Sequence, residues 1–238
     1  MPDHGGRSEV AFINLFDILG PVMVGPSSSH TAGAVRIGRM ARRLLGEAPV
    51  RAQITLYGSF AATGCGHGTD RALIAGLLGM RPDDERIAKS FELAKEAGLS
   101  FSFSRSKLEA EHPNTARLSL RSQGGKMLNM TAASLGGGRI MVTEMNGLRA
   151  NFSGDLPTLI VQNLDQPGHV CDVTGMLAHK GVNIATMQLY RDHPGGNAVM
   201  ILETDKAVPK DGIAWLERSE GITRVTFIDR EKDMEPPL

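Results

Sequence analysis

Cysteine is scarce in this 238-residue chain: there are two, Cys65 and Cys171, far apart and outside any Cys-x-x-Cys pair. That spacing excludes a zinc site built on paired thiolates and a dithiol redox couple, and leaves two unrelated reduced thiols. Charge of one sign is also lacking. Twenty-six basic residues balance twenty-six acidic ones, so no net field draws the chain to nucleic acid or to an anionic lipid surface. No apolar run reaches the length of a membrane span, and the polar start Asp3-His4-Gly5-Gly6-Arg7 has no apolar centre of the kind a secretory signal needs, so a cytoplasmic location is expected. A phosphate loop and a dinucleotide fingerprint are missing too: Gly64-Cys65-Gly66-His67-Gly68 has neither the Gly-Lys-Ser/Thr ending nor the Gly-x-Gly-x-x-Gly spacing.

What the chain does have is concentrated in Gly25-Pro26-Ser27-Ser28-Ser29-His30-Thr31-Ala32-Gly33, just ahead of an apolar-periodic segment. Hydroxyls at a helix start cap free N–H groups, and the same N–H groups, at the positive end of the helix dipole, favour a carboxylate. Capping accounts for the serines; it does not account for an imidazole at His30. From Thr31 to Leu45, Val35, Met40, Ala41, Leu44 and Leu45 fall near helical spacing, and Arg36, Arg39, Arg42 and Arg43 fill a basic face, read as a solvated surface or as a docking surface for an acidic partner.

Further along, Gln53–Tyr57 alternates as a strand that runs into a small-residue turn at Gly58-Ser59-Phe60. Thr69 and Asp70 read as the N-cap of a nearly all-apolar helix through Leu78, and Asp83-Asp84-Glu85 heads an amphipathic helix to about Ala97. Strands follow at Leu99–Ser104, Thr115–Ser122, Met127–Ser134 and Arg139–Glu144. Asn151-Phe152-Ser153-Gly154-Asp155 reads as a hinge. Beyond it the pattern is β-α-β-β-α-β: strands at Leu159–Leu164, Asn183–Tyr190, Ala198–Glu203 and Ile222–Ile228, with helices at His169–Lys180 and Lys210–Arg218.

Four ordered blocks carry a resemblance. Asp17-Ile18-Leu19-Gly20-Pro21 leads into the seryl segment. Tyr57-Gly58-Ser59-Phe60 comes with Gly66-His67-Gly68-Thr69-Asp70, followed by His112-Pro113-Asn114-Thr115-Ala116, and by Gly136-Gly137-Gly138 leading to Glu144-Met145-Asn146-Gly147. Together they resemble the β chain of iron–sulfur-dependent L-serine dehydratases. Asp165-Gln166-Pro167-Gly168 and Gly181-Val182-Asn183-Ile184-Ala185 are similar to the ACT family of amino-acid-sensing domains. The implied fold is α+β: residues 1–150 form a serine dehydratase β-chain domain with helices on a sheet, like the substrate-binding-type domain of some phosphoglycerate dehydrogenases, and residues 155–232 form a ferredoxin-like ACT domain.

The resemblance implies elimination of water from L-serine to give pyruvate and ammonia. It implies a [4Fe-4S] cluster on a partner α subunit, since a four-iron cluster is held by several thiolates that this chain does not possess. Under that reading Ser27, Ser28, Ser29 and Thr31 hold the substrate carboxylate, His30 is base or orienter, and His67 is a second candidate that a buried histidine bonded to a carbonyl explains equally well. No metal ligand is assigned to this chain, and Asp70, His112 and Asn114 are read as structural or interface residues. In the ACT-like part, the turn at Gly168 lets helix N–H groups face an α-carboxylate, Asn163 or Asp165 accepts from an α-amino group, and Asn183 bridges. Such a site lies between two copies, so a homodimer is expected, although the same residues serve equally as turns and caps. The competing reading is a purely regulatory amino-acid-binding subunit with no part in the active site.

Overall fold

The computed structural model describes residues 23–230 except Pro26, Cys65 and Glu109. The Phe12–Leu19 segment, read from the sequence as a short helix, and the Asp17–Pro21 block lie outside the described residues, as do Pro26 and Cys65. A wide π turn, Ser28–Gly33, runs directly into α1 (Ala34–Leu45). Then come β1 (Pro49–Leu56), α2 (Gly58–Thr63), α3 (Thr69–Leu77), a 3₁₀ turn at Glu85–Lys89, α4 (Ser90–Glu96) and β2 (Ser100–Arg105). Strands β3 (Thr115–Ser122), β4 (Met127–Gly136), β5 (Arg139–Met145) and β6 (Leu148–Phe152) complete a six-stranded sheet ordered β2-β1-β3-β4-β5-β6.

Alternation decides which face of that sheet is covered. Ala52, Ile54 and Leu56 of β1, Ala116, Leu118 and Leu120 of β3, and Leu128, Met130 and Ala132 of β4 are buried in one cluster with Val35, Ile37 and Leu44 of α1 and Leu73, Ile74 and Leu77 of α3. The two helices can lie close because glycines meet at their crossing. A Cβ added at Gly38 would stand 2.3 Å from the Leu73 carbonyl oxygen, and one at Gly76 would stand 2.1 Å from that of Val35.

The second sheet is built from β7 (Thr158–Leu164), β8 (Ile184–Arg191), β9 (Asn197–Thr204) and β10 (Ile222–Ile228), ordered β10-β7-β9-β8, with α5 (His169–His179) and α6 (Lys210–Leu216). This is the expected β-α-β-β-α-β succession with fully antiparallel pairing. Leu159, Val161, Met200 and Leu202 face the helices, whereas Ile160, Val199, Ile201 and Ile228 join the core of the first sheet. Burial on both faces is why β7 and β9 read as continuous apolar runs. Arg224 of β10 donates to the Leu44 carbonyl at 2.9 Å, capping the C-terminal end of α1, and Gln188 of β8 donates to the Asn151 carbonyl at 2.8 Å.

The α+β class and the strands the sequence reading places agree with the structure; β6 is a strand that reading does not contain, and five local expectations differ. Gly58-Ser59-Phe60 begins the short helix α2 rather than a turn. Gly68, in the left-handed region, caps α3, and Thr69 is its first residue with a buried hydroxyl. The Asp83–Ala97 helix is split into a 3₁₀ turn, capped by Asp84, and α4. Asn151 and Phe152 belong to β6, because Phe152 pairs with Val142 and is buried; the stretch without helix or strand is residues 153–157. Finally, the arginines of α1 are not a solvated face. Arg36 is buried, Arg42 donates to the Leu77 carbonyl at 2.8 Å, and Arg43 donates to the carbonyl of Asp229.

Candidate active site

One end of the first sheet gathers the sequence blocks. There β1 ends at Leu56, opposite Ala116 near the start of β3, and Thr115 of β3 faces Ala133 near the end of β4. The π turn of the seryl segment sits against the same end. Ser27 is its N-cap, and its hydroxyl oxygen accepts from the His30 N–H at 3.2 Å. Insertion of a π turn at the head of α1 widens the first turn, a departure from regular helix that recurs at functional sites.

The His30 ring is held from both sides. Its Nε2 lies 3.0 Å from Thr63 Oγ1 and 3.2 Å from Ser59 Oγ, and its Nδ1 lies 3.3 Å from Ser27 Oγ. Proton counting assigns the tautomer. Thr63 donates its one hydroxyl proton to the Ser59 carbonyl at 2.9 Å, so it can only accept from His30, which places the ring proton on Nε2. Nδ1 then keeps its lone pair and faces the Ser27 hydroxyl, whose proton no other bond uses. Ser59 and Thr63 reach the ring together because they are four residues apart on one face of α2. The sequence reading missed both, having taken this stretch for a turn; their i, i+4 spacing is a signal only once a helix is recognised there.

His67 comes to His30 from the glycine-rich loop, with ring centroids 4.9 Å apart, and buried Phe60 closes the other side at 5.3 Å. Burial lowers the His30 pKa below its ordinary value, the nearby His67 charge lowers it further, and a hydrogen bond donated by the His30 ring to the Ser59 backbone opposes both. The neutral form of His30 is thereby favoured, the form that can take a proton.

The remaining blocks surround this pair. Ser28 Oγ accepts from the Gly137 N–H at 3.4 Å, and Ser29 Oγ lies 3.5 Å from where a Cβ on Gly136 would stand, so the glycine hairpin rests on the seryl segment. Gly58, with φ of 51°, passes so close to Pro113 that an added Cβ would meet its carbonyl oxygen at 2.5 Å. Thr31 departs from the expected row of open hydroxyls: it is 4% exposed and turned inward against Gly25. Among the described residues Thr31 Oγ1, Ser134 Oγ and Asn114 Oδ1 are buried without a hydrogen-bond partner, polar groups in and beside these blocks. Asp70 accepts from the next N–H, that of Arg71, and stays out of the cluster.

On the bare face of the first sheet a cavity of about 630 Å³ is lined by Tyr57, His112, Arg117, Glu144, Arg149 and Tyr190. Arg117 and Glu144 pair across it at 3.0 Å. Among the described residues no group of three or more His, Cys, Asp or Glu side chains could hold a metal ion, and Cys171 is exposed and free.

The four residues expected at an effector site are not brought together within one chain. Asn163 and Asp165 stand with Gly168 at one end of the second sheet, where Asn163 pairs with Ala198. Asn183 stands at the other end, where Ile184 pairs with Thr204, six residues or roughly 20 Å along β9. Asn163 is buried, donates to the Leu164 carbonyl at 2.6 Å, and leaves Oδ1 without a partner. Asp165 accepts from Gly195 N–H at 3.0 Å and Arg191 at 2.8 Å, the causes of its lowered pKa. Asn183 donates to Asp205 at 2.7 Å.

Residues 13–145 match the family model described as serine dehydratase beta chain. The chain is 41% identical over 215 residues to a probable L-serine dehydratase beta chain of Bacillus subtilis, covering 90% of this chain and 97% of that one. It is 37% identical over 207 residues to an L-serine dehydratase beta chain of Peptoniphilus asaccharolyticus, covering 85% and 93%. A shorter likeness, 33% over 89 residues, joins it to a D-3-phosphoglycerate dehydrogenase of Methanocaldococcus jannaschii, covering 37% of this chain and 17% of that enzyme.

Proposed function

Since the chain belongs to the serine dehydratase beta chain family, we propose that it acts as the β subunit of a two-chain cytoplasmic enzyme that converts L-serine to pyruvate and ammonia, and that it supplies the polar half of the active site. The carrying observation is His30: an imidazole held between Ser27, Ser59 and Thr63, beside His67, at the head of a helix. Ser28 and Ser29 bind the substrate carboxylate through their hydroxyls and their own N–H groups at the positive end of the dipole, the His30 and Thr31 N–H groups being taken by Ser27. His30 accepts the α-proton at Nδ1, directly or through the Ser27 hydroxyl, while Thr63 holds the opposite ring edge. Loss of the proton and of hydroxide leaves an enamine, whose imine form takes up water to give pyruvate and ammonia.

An iron–sulfur cluster does not fit this chain. Two cysteines are fewer than the thiolates a four-iron cluster takes, and the described residues offer no grouping of other ligands. We assign the [4Fe-4S] cluster to the α subunit, which the beta-chain kinship of the relatives supports as partner. The second sheet we assign to ACT-type pairing of two copies along the edge strand β8, where Met187 and Leu189 are exposed. A two-fold axis there sets Asn163, Asp165 and Gly168 of one copy near Asn183 of the other, which suits an amino-acid effector.

The test is reconstitution of the α and β chains with His30→Ala. A fall in kcat of about 10²–10⁴ is expected with an unchanged fold by circular dichroism. Full turnover with normal KM would remove the segment from the active site.

A further inference from the structure

The Gly136–Gly138 turn that rests on the seryl segment has no stiffness of its own. All three residues have positive φ (90°, 60° and 78°), and glycine loses more conformational freedom on ordering than any other residue. The β4–β5 ladder holds its base, where Gly136 pairs with Arg139, and contacts from outside the hairpin set its tip. The Gly137 N–H bond to Ser28 Oγ, at 3.4 Å, is long. The short bond comes from α1: Arg36 donates to the Gly138 carbonyl at 2.7 Å. The Arg36 side chain is 8% exposed, so this charge-assisted bond is shielded from water.

The same guanidinium reaches Asp155 at 3.0 Å, in the 153–157 segment that leads into β7. That segment is itself anchored. Gly154 lies against Met40 of α1, Asp155 N–H donates to Ser153 Oγ at 3.1 Å, and the Pro157 carbonyl accepts from the Thr204 N–H of β9 at 2.8 Å. A continuous series of bonds thus runs from β9 through Pro157 and Asp155 to Arg36, then to the glycine turn and Ser28.

We propose that Arg36 is a positioning residue: its guanidinium, bridging Asp155 and the Gly138 carbonyl, sets the glycine turn against Ser28 and Ser29 and ties the geometry of the carboxylate cradle to the linker of the second sheet. This rests on the reading of the seryl segment as the substrate site. Arginine suits the task because its planar fork serves two acceptors at once; a lysine at this position keeps the charge and loses the second arm.

The experiment uses the co-expressed two-chain enzyme carrying Arg36→Lys, Asp155→Asn or His30→Ala. It is paired with hydrogen exchange of the 136–139 turn in each full-length β chain. Arg36→Lys is expected to raise KM for L-serine about tenfold with kcat within about twofold, and Asp155→Asn to act in the same direction by about threefold, both with faster exchange in the turn. A merely structural role would lower the folded fraction and leave KM alone. Normal KM and unchanged turn exchange in Arg36→Lys, beside an inactive His30→Ala, would overturn the proposal and leave the site reading standing. Full turnover in His30→Ala would overturn the site reading itself, whatever Arg36→Lys does.

Discussion

His30 sits where two opposing demands meet: a base needs its lone pair free, and a buried ring needs its nitrogens bonded. The bonds to Thr63 and Ser59 satisfy Nε2 and leave Nδ1 to act. Because the neutral ring is favoured by burial and by the His67 charge, the acid limb of kcat/KM should lie at lower pH than an ordinary histidine gives. Replacing His67 removes the second cause, so His67→Gln should move the acid limb of the profile to higher pH, while burial keeps it below the ordinary value. A limb that stays in place would show that the two rings do not interact electrostatically. At this scale the sequence disclosed the types of group and not their partners: the seryl run and His30 stand out by chemistry, but Thr63 gains meaning only because α2 turns it toward a ring 33 residues earlier.

The helices α1 and α3 approach through Gly38 and Gly76, and the contact reverses the usual rule for glycine in a helix. Replacement by alanine ordinarily stabilises a helix by up to about 1 kcal/mol. At Gly38 the added methyl meets the Leu73 carbonyl at 2.3 Å, backbone that cannot move aside, so Gly38→Ala should destabilise by about 1–3 kcal/mol in denaturant unfolding. Gly175, inside α5 with open space around its Cβ position, supplies the contrast: Gly175→Ala should stabilise by about 0.5–1 kcal/mol. Equal effects at the two sites would contradict the packing described. Most elements were legible from periodicity. Those misread have different causes: Phe152 is drawn into β6 by pairing with Val142 of β5, a tertiary contact, whereas Gly68 rather than Thr69 caps α3 through its own left-handed backbone.

For the whole molecule, the decisive measurement separates a shared active site from a purely regulatory subunit. An α subunit with an intact cluster should show little turnover alone and recover it on addition of this chain. Full kcat without it would make this chain a regulator only. The sequence by itself determined the α+β class, the β-α-β-β-α-β succession of the second sheet and the shortage of thiolates, because these follow from side-chain periodicity and from composition, both properties of single residues and their near neighbours. Only the tertiary structure decided that Arg36 is buried and tied to Gly138 and Asp155, that Thr31 turns inward, and that Asn163 and Asn183 stand at opposite ends of one sheet. Burial and long-range pairing depend on which segments meet after chain reversal, and no local pattern of residues encodes that meeting.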